Sequence, residues 1–253
     1  MNFRNLTGTF AATLALCVFA SAAPIDDLIQ KGDVHDRQFR AKEALEYYLP
    51  AEKLDPNNAD VLTRIARQYR HLMTDARSKS EKLRLGNIAV SYSRRAAALA
   101  PNDSDAQLSP AISHGKMLSF LSSREQVEAS RVIKASAEKA VKLNPRNDLA
   151  WHVLGRWHRV LADLSPIKRA IAPLLYGKLP EARNEDAVAC FQKAIAINPN
   201  RLMHYIELGR TYAQMGKTEE ARRYLQKGLS MPNTEKDDPE LKERGREALA
   251  KLS

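Results

Sequence analysis

Alanine-rich runs of apolar and small residues, each with a helix-like pattern, follow one another along this chain. Four of these runs close in the same way, at Leu54-Asp55-Pro56, Leu99-Ala100-Pro101, Leu143-Asn144-Pro145 and Ile197-Asn198-Pro199. Proline cannot continue a helix, so prolines at regular places mark the ends of structural units. Recurrence on this scale predicts a repeat solenoid, an architecture that presents long binding surfaces.

The order of residues within each unit matches the tetratricopeptide pattern W-x2-L-G-x2-Y, then A-x3-F, then P, over about 34 residues. The fourth unit fits best, with Leu154, Gly155, Ala187 and Phe191 in place. The other units keep the pattern in part, at Leu28, Gly32, Ala44, Tyr48 and Ala51; at Leu62, Ile65, Ala66, Tyr69, Ala89 and Ala96; at Ala111, Ala137 and Ala140; and at Tyr205, Leu208, Gly209, Tyr212 and Ala221. Small residues let paired helices cross closely, and aromatic residues fill the remaining space.

The units are longer than the basic motif. The prolines at positions 56, 101, 145 and 199 are 45, 44 and 54 residues apart. We expect the additional residues between the two helices of units two, three and four. In units two and three they should lengthen the helices, whereas prolines within residues 161–183 predict a short extra helix and a loop in unit four.

These patterns predict an all-α protein, a right-handed α-solenoid of about five tetratricopeptide-like helix pairs plus a C-terminal capping helix. Ten glycines and an aromatic content of 6% agree with helices rather than sheets. The repeats should span residues 23–232, followed by a linker and capping helix over 233–253. Asp238 is the expected N-cap of that last helix, with Pro239 in its first turn.

The first 22 residues have the features of a secretory signal peptide. Arg4 precedes an apolar run from Leu6 to Phe19, and a cleavage site of small residues follows, with the cut after Ala22. Such a signal predicts a periplasmic or secreted protein without a stable membrane span after cleavage. A mitochondrial or cytoplasmic location is the alternative if this segment is not a secretory signal.

A second set of residues resembles the regulator of microtubule dynamics family. They are Leu154-Gly155-Arg156-Trp157, Leu164-Ser165, Ile171-Ala172, Leu175-Tyr176-Gly177, Glu185-Asp186-Ala187, Phe191, Ala194, Leu208-Gly209-Arg210 and Tyr212. The long insertion in the fourth unit is the distinguishing part, and the likeness extends over residues 25–232. The resemblance implies an α-solenoid without catalytic residues and, in eukaryotic relatives, association with microtubules or organelles.

A stripe of cations is predicted along the concave face, which the first helices of the repeats line. Arg67, Arg156 and Arg210 follow the small residue of units two, four and five. The complete predicted groove consists of Arg67, Arg70, Lys116, Arg156, Arg159, Arg210 and Gln214. Arginines in register bind carboxylates well. The alternative is a solvated basic face that neighbouring acids neutralise.

Other kinds of site find little support. The formal net charge is +10, but the basic residues are spread over nearly every helix and no nucleic-acid-binding motif is present, so we predict no nucleic-acid partner. Metal-ligand spacings and phosphate-binding glycine loops are also missing, so we predict no metal and no cofactor. Packing explains Trp151, His152, Trp157 and His158, and Cys190 is expected in the core.

We therefore predict a non-catalytic protein–protein interaction module, a tetratricopeptide scaffold or adaptor that binds a peptide or partner helix in the basic groove. The charge of the groove favours an acidic partner. The first alternative is a regulator of microtubule dynamics, or an organelle-associated microtubule-binding protein, as the resemblance implies. The second is an enzyme whose site has no recognisable motif.

Overall fold

The computed structural model describes residues 13–165 and 181–252, with side chains from residue 24 onward. Every regular element within these ranges is helical, which confirms the predicted all-α solenoid. The α-helices are α1 (Thr13–Asp36), α2 (Ala41–Leu54), α3 (Ala59–Asp75), α4 (Lys79–Leu99), α5 (Ser104–Met117), α6 (Ser123–Leu143), α7 (Asp148–Ala162), α8 (Asn184–Ile197), α9 (Leu202–Gln214), α10 (Thr218–Ser230) and α11 (Asp238–Ala250), with a 3-10 turn at Leu118–Phe120.

The helices pack as five consecutive pairs, α1–α2, α3–α4, α5–α6, α7–α8 and α9–α10, in the predicted order. Each pair also packs on the next one. The first helices of successive units touch one another at α3–α5, α5–α7 and α7–α9. We call α1, α3, α5, α7 and α9 the inner helices, because this arrangement places them on the inside of the curve. Helix α11 covers the end of the stack by packing on α9 and α10.

Glycines allow the helices of a pair to approach closely. A Cβ atom added to Gly32 of α1 would overlap the ring of Tyr48 in α2. A Cβ atom added to Gly155 of α7 would lie 2.9 Å from the ring of Phe191 in α8. Both rings are fully buried. The aromatic side chain therefore fills space that the missing glycine side chain leaves free, as the repeat pattern predicts.

The prolines lie in the turns between units, where polar side chains begin the next inner helix. Asn58, Asp103 and Asn147 accept hydrogen bonds from backbone N–H groups three residues later, over 3.2, 2.7 and 3.1 Å. These side chains satisfy N–H groups that the first helical turn leaves without intrahelical partners. After Pro56, Pro101 and Pro145 a capping side chain therefore starts the next unit, whereas the helix after Pro199 begins after Arg201 without a side-chain cap.

The lengthened units differ in where the additional residues lie. In unit two both helices are long, with 17 residues in α3 and 21 in α4. In unit three α5 has 14 residues and α6 has 21, so the second helix takes most of the extra length. In the fourth unit, residues 166–180 of the predicted insertion lie outside the described residues. Residues 1–12 of the predicted signal segment also lie outside them.

The capping helix begins where expected, with a small shift in its cap. Asp237, rather than Asp238, is the N-cap of α11, and Pro239 lies in the first turn. Asp238 instead folds back, because its Oδ2 accepts the backbone N–H groups of Thr234 and Glu235 over 2.7 and 2.8 Å. These bonds hold the preceding turn in a compact shape.

Candidate functional site

Three of the predicted arginines meet around one buried carboxylate. Glu207 of α9 is fully buried and accepts a hydrogen bond from Arg159 Nε of α7 at 3.0 Å and from Arg210 Nη1 at 2.8 Å. Arg156 Nε of α7 lies 3.9 Å from Glu207 Oε1. We call these four residues the arginine cluster. It joins the inner helices of units four and five.

The arginine cluster has more positive than negative charge. Burial by itself raises the pKa of Glu207. The charges of Arg159, Arg156 and Arg210 lower it by more than burial raises it, so the carboxyl pKa is well below its usual value. One carboxylate thus neutralises only part of three guanidinium charges. Arg156 has the weakest contact to Glu207, and its side chain remains 38% exposed. Its Nε has no hydrogen-bond partner among the described residues.

A second group of predicted residues lies on α3 and α5. The Arg70 guanidinium is buried and donates to the hydroxyls of Ser109 and Ser113 over 3.3 and 3.1 Å. Burial lowers the pKa of Arg70 to about 9. Arg67 has a half-exposed side chain that donates to Asp36 of α1 at 3.1 Å. This group therefore connects the inner helices of units one, two and three.

Lys116 and Gln214 complete the predicted set. Lys116 Nζ of α5 lies 2.5 Å from Asp237 Oδ2, at the start of α11. Gln214 Nε2 donates to the Arg159 carbonyl at 3.0 Å and to Asn184 Oδ1 at 2.8 Å. The structure thus brings the predicted groove residues together as two groups rather than one continuous stripe. Their role in binding a partner stays a prediction.

The sequence analysis missed a chain of hydrogen bonds beside the arginine cluster. His204 of α9 bonds through Nε2 to Asp148 Oδ2 at 2.9 Å and through Nδ1 to His152 Nδ1 at 3.0 Å. Asp148 accepts from Nε2–H, so neutral His204 presents an Nδ1 acceptor and His152 must donate from Nδ1. His152 Nε2 is then a buried acceptor without a partner in the described part of the chain. The two histidines are 52 residues apart, so no spacing rule connects them.

Burial keeps His71, His152 and His204 neutral. It lowers the pKa of His71 to about 4 and lowers the pKa values of His152 and His204 from 6.5. The folded state therefore binds these protons less readily than the unfolded state. Stability from the neutral rings is complete above about pH 6.5 and is lost as the pH falls toward the folded pKa values.

We accordingly expect the free energy of unfolding to fall between pH 7 and about pH 4.5, before most carboxylates protonate. Urea denaturation at several pH values measures this slope. Replacing His152 with glutamine removes one contributing ring, so the slope should become shallower than in the parent chain. If neither His152→Gln nor His204→Gln changes the slope of the free energy of unfolding against pH, the buried histidines are not its cause.

Other chemistry-bearing residues are part of the core or are scattered. Cys190 of α8 is buried in the cluster around Leu154, and burial raises the pKa of its thiol to about 12. Such a thiol is a poor nucleophile at neutral pH. No group of three or more metal-binding side chains occurs within residues 13–165 and 181–252. No helix in these same ranges is long and apolar enough to cross a membrane.

A separate cleft of about 470 Å³ opens near the turn between α1 and α2. Phe39, Leu72, Ala76 and Leu85 provide apolar parts of its wall, and charged side chains surround them. Phe39 has a positive φ of 57°, which is unusual for a residue with a large side chain. The cleft lies away from the arginine cluster, which is on units four and five.

Comparison with known proteins gives the family that the sequence resembles, over nearly the whole chain. The family model described as Regulator of microtubule dynamics protein 1-3 matches residues 23–253. Regulator of microtubule dynamics protein 2 of Mus musculus is 24% identical over 90% of this chain and 56% of its own length. Regulator of microtubule dynamics protein 1 of Pongo abelii is 24% identical over 97% of this chain and 78% of its own length. The chain thus spans little more than half of the first relative.

Solved structures share the fold at low sequence identity. A thermophilic tetratricopeptide protein of Thermus thermophilus superposes with a TM-score of 0.62, at 19% identity, over 89% of this chain and 99% of the other. The pilF protein of Pseudomonas aeruginosa gives a TM-score of 0.56, at 15% identity, over 92% and 90%. These similarities support the tetratricopeptide-like solenoid.

The predicted periplasmic or secreted location is wrong. The relatives are mammalian regulators of microtubule dynamics, and microtubules lie inside the cell. The mitochondrial or cytoplasmic alternative fits these relatives better. The apolar pattern of residues 1–22 misled the prediction, because a short apolar run with small residues is not specific to secretion.

Proposed function

Since this chain belongs to the regulator of microtubule dynamics family, we propose that it is a non-catalytic scaffold that binds an acidic peptide or partner helix along its inner helices. The tetratricopeptide-like fold and the family support a role in protein interaction. Both favour a scaffold over an enzyme. The partner, its acidity and the groove are our proposal.

The excess charge of the arginine cluster is the observation that carries this proposal. Glu207 engages Arg159 and Arg210 through direct hydrogen bonds, whereas Arg156 remains more distant and partly exposed. A guanidinium in such surroundings has been partly removed from water without receiving a full partner. A carboxylate from another molecule would supply that partner through a charge-assisted hydrogen bond.

Arg156→Gln should weaken the binding of a fluorescein-labelled deca-glutamate peptide by at least about tenfold, because it removes one charge-assisted hydrogen bond. Fluorescence anisotropy at low and high salt measures the affinity and its electrostatic part. Arg159 and Arg210 are unsuitable for this test, because they also neutralise Glu207.

The matched control is Arg124→Gln, which removes an exposed arginine from α6, a second helix of its pair. Its effect on deca-glutamate binding should be less than twofold, since an exposed charge acts only weakly over a distance. Equal losses for Arg124→Gln and Arg156→Gln would show a general charge effect and would overturn the groove as the binding site.

A second candidate function is direct binding to microtubules, as the family description suggests. The carboxyl-terminal tails of tubulin are acidic, so they match the excess charge of the arginine cluster. The chain should sediment with intact microtubules and less with microtubules from which a protease has removed these tails. Equal sedimentation with both preparations would exclude the tails as the partner.

A further inference from the structure

A short segment near the end of the chain returns to the inner helices of distant units. Residues 231–237, which we call the crossing segment, connect α10 to α11. Although α10 belongs to unit five, this segment contacts α3 of unit two and α5 of unit three. It therefore lies over the same helices that carry Arg67, Arg70 and Lys116.

The contacts of the crossing segment are mainly made by charged side chains. Asp237 Oδ2 lies 2.5 Å from Lys116 Nζ, and its Oδ1 accepts the Thr74 hydroxyl at 2.9 Å. Lys236 Nζ lies 2.7 Å from Asp75 Oδ1 at the end of α3. One carboxylate thus receives both an ammonium and a hydroxyl donor from the inner helices of two different units.

A second carboxylate of the segment binds another inner helix. Glu235 Oε1 lies 3.3 Å from Arg201 Nη1, directly before α9. Arg201 also contacts Asp148 of α7 at 3.2 Å, so Glu235 shares this guanidinium with a second acid. The two acids of the crossing segment are two residues apart, and each faces a cation of the inner surface.

A hydrogen-bonded turn within the segment presents these two acids. Asp238 accepts the backbone N–H groups of Thr234 and Glu235, which fixes the turn. The apolar anchor at its start is Met231, which packs in the same cluster as Leu241. The Asp237 and Glu235 side chains remain 41% and 42% exposed. Their partners Lys116 and Arg201 are only 18% and 21% exposed, so it is the exposure of the two acids that leaves each pair open to exchange with another carboxylate.

We propose that the crossing segment is an internal occupant of a carboxylate-binding site formed by Lys116, Thr74 and Arg201. The external ligand is an extended peptide with two acidic residues in an acid-x-acid arrangement, and its binding displaces Glu235 and Asp237. This inference rests on the proposed function and adds its regulation, because the internal acids reduce the fraction of chains that are open to a partner.

The experiment compares variants of the full chain that empty the site with variants that destroy it. The probe is a fluorescein-labelled peptide with the sequence of residues 231–238, MPNTEKDD. The variant with Glu235→Gln and Asp237→Asn keeps Lys116, Thr74 and Arg201 but loses the internal acids. It should bind the probe at least about tenfold more tightly than the parent chain does.

Adding Lys116→Gln to that double variant should remove the gain, since the site loses its main cation. The matched control is Glu243→Gln with Glu247→Gln, which neutralises two exposed acids of α11 and should leave probe affinity unchanged. Circular dichroism and thermal unfolding identify any variant that loses its fold. If a variant loses its fold, a measurement on the parent chain replaces it. Deca-glutamate should accelerate amide hydrogen exchange at Thr234 and Glu235 of the parent chain.

The possible outcomes separate the two proposals. If the double variant and the parent chain bind deca-glutamate equally well, and exchange at Thr234 and Glu235 does not change, the internal occupant is overturned while the proposed function survives. If deca-glutamate binds neither the parent chain nor any of the variants, both the proposed function and the internal occupant fail. A gain in the control variant of α11 as large as that in the double variant would show only a change in net charge and would also overturn the internal occupant.

Discussion

Replacing Glu207 with glutamine should lower the free energy of unfolding by about 3–5 kcal/mol. The amide has nearly the same size, so the packing is retained while the only negative charge of the arginine cluster is lost. Arg159 and Arg210 would then lose the carboxylate to which they donate at 3.0 and 2.8 Å. An uncompensated buried cation costs far more than an exposed ion pair contributes. Urea denaturation at pH 7 measures the change.

The control for Glu207→Gln is Glu219→Gln, on the exposed side of α10. This change should alter the free energy of unfolding by no more than about 0.5 kcal/mol. Adding Arg159→Gln to Glu207→Gln removes one of the stranded cations and should recover part of the loss. A small loss in the Glu207 variant, or a further loss in the double variant, would contradict the proposed charge balance.

Replacing Gly209 with valine should destabilise the fold by about 3 kcal/mol through overpacking between α9 and α10. A Cβ atom at Gly209 would lie 2.9 Å from the backbone nitrogen of Leu225 and 2.7 Å from its Cγ. Backbone atoms cannot move aside as the end of a flexible side chain can. The last pair of the solenoid must therefore separate to admit the new side chain, and the thermal unfolding midpoint should fall.

The matched control is Gly115→Ala, also within an inner helix. Apart from its chain neighbours and its own helix backbone, no atom of the described residues lies within 4 Å of a Cβ atom placed at Gly115. Because alanine favours helix over glycine, this variant should gain up to about 1 kcal/mol in the free energy of unfolding. Opposite outcomes at these two glycines, both within inner helices, would separate close packing from helix propensity. Equal effects would contradict the packing argument.

The arginine cluster serves the fold as well as the proposed binding of a partner. Arg159 of α7 connects unit four to unit five through Glu207, which also accepts a hydrogen bond from Arg210 of its own helix, and we propose that the charge left unneutralised is available to an acidic ligand. The same division occurs in units two and three, where Lys116 is bound to Asp237. Under these proposals, the predicted stripe divides into residues that hold the solenoid together and residues that exchange partners.

Much of the architecture can be predicted from local patterns. The prolines at 56, 101, 145 and 199 mark the unit boundaries because they recur in the turn after each second helix, whereas Pro24, Pro50 and Pro110 lie inside helices. Gly155 and Phe191 identify a pair of crossing helices, since each residue is useful only in the presence of the other. Such rules depend on residues within one unit, where the chain itself keeps the partners near each other.

Other features depend on how one unit turns relative to the next. Periodicity placed Arg156 and Arg210 on the inner surface, but it did not reveal that Glu207 lies between them, or that Asp237 reaches Lys116 across 121 residues. Small rotations between successive helix pairs add up along the stack and determine which distant side chains meet. The sequence by itself thus determined the repeats, their order and the helices that face inward. Only the tertiary structure decided which charges pair across the stack, such as Arg159 with Glu207 and Lys116 with Asp237, because those partners come from different units whose relative rotation no local pattern encodes.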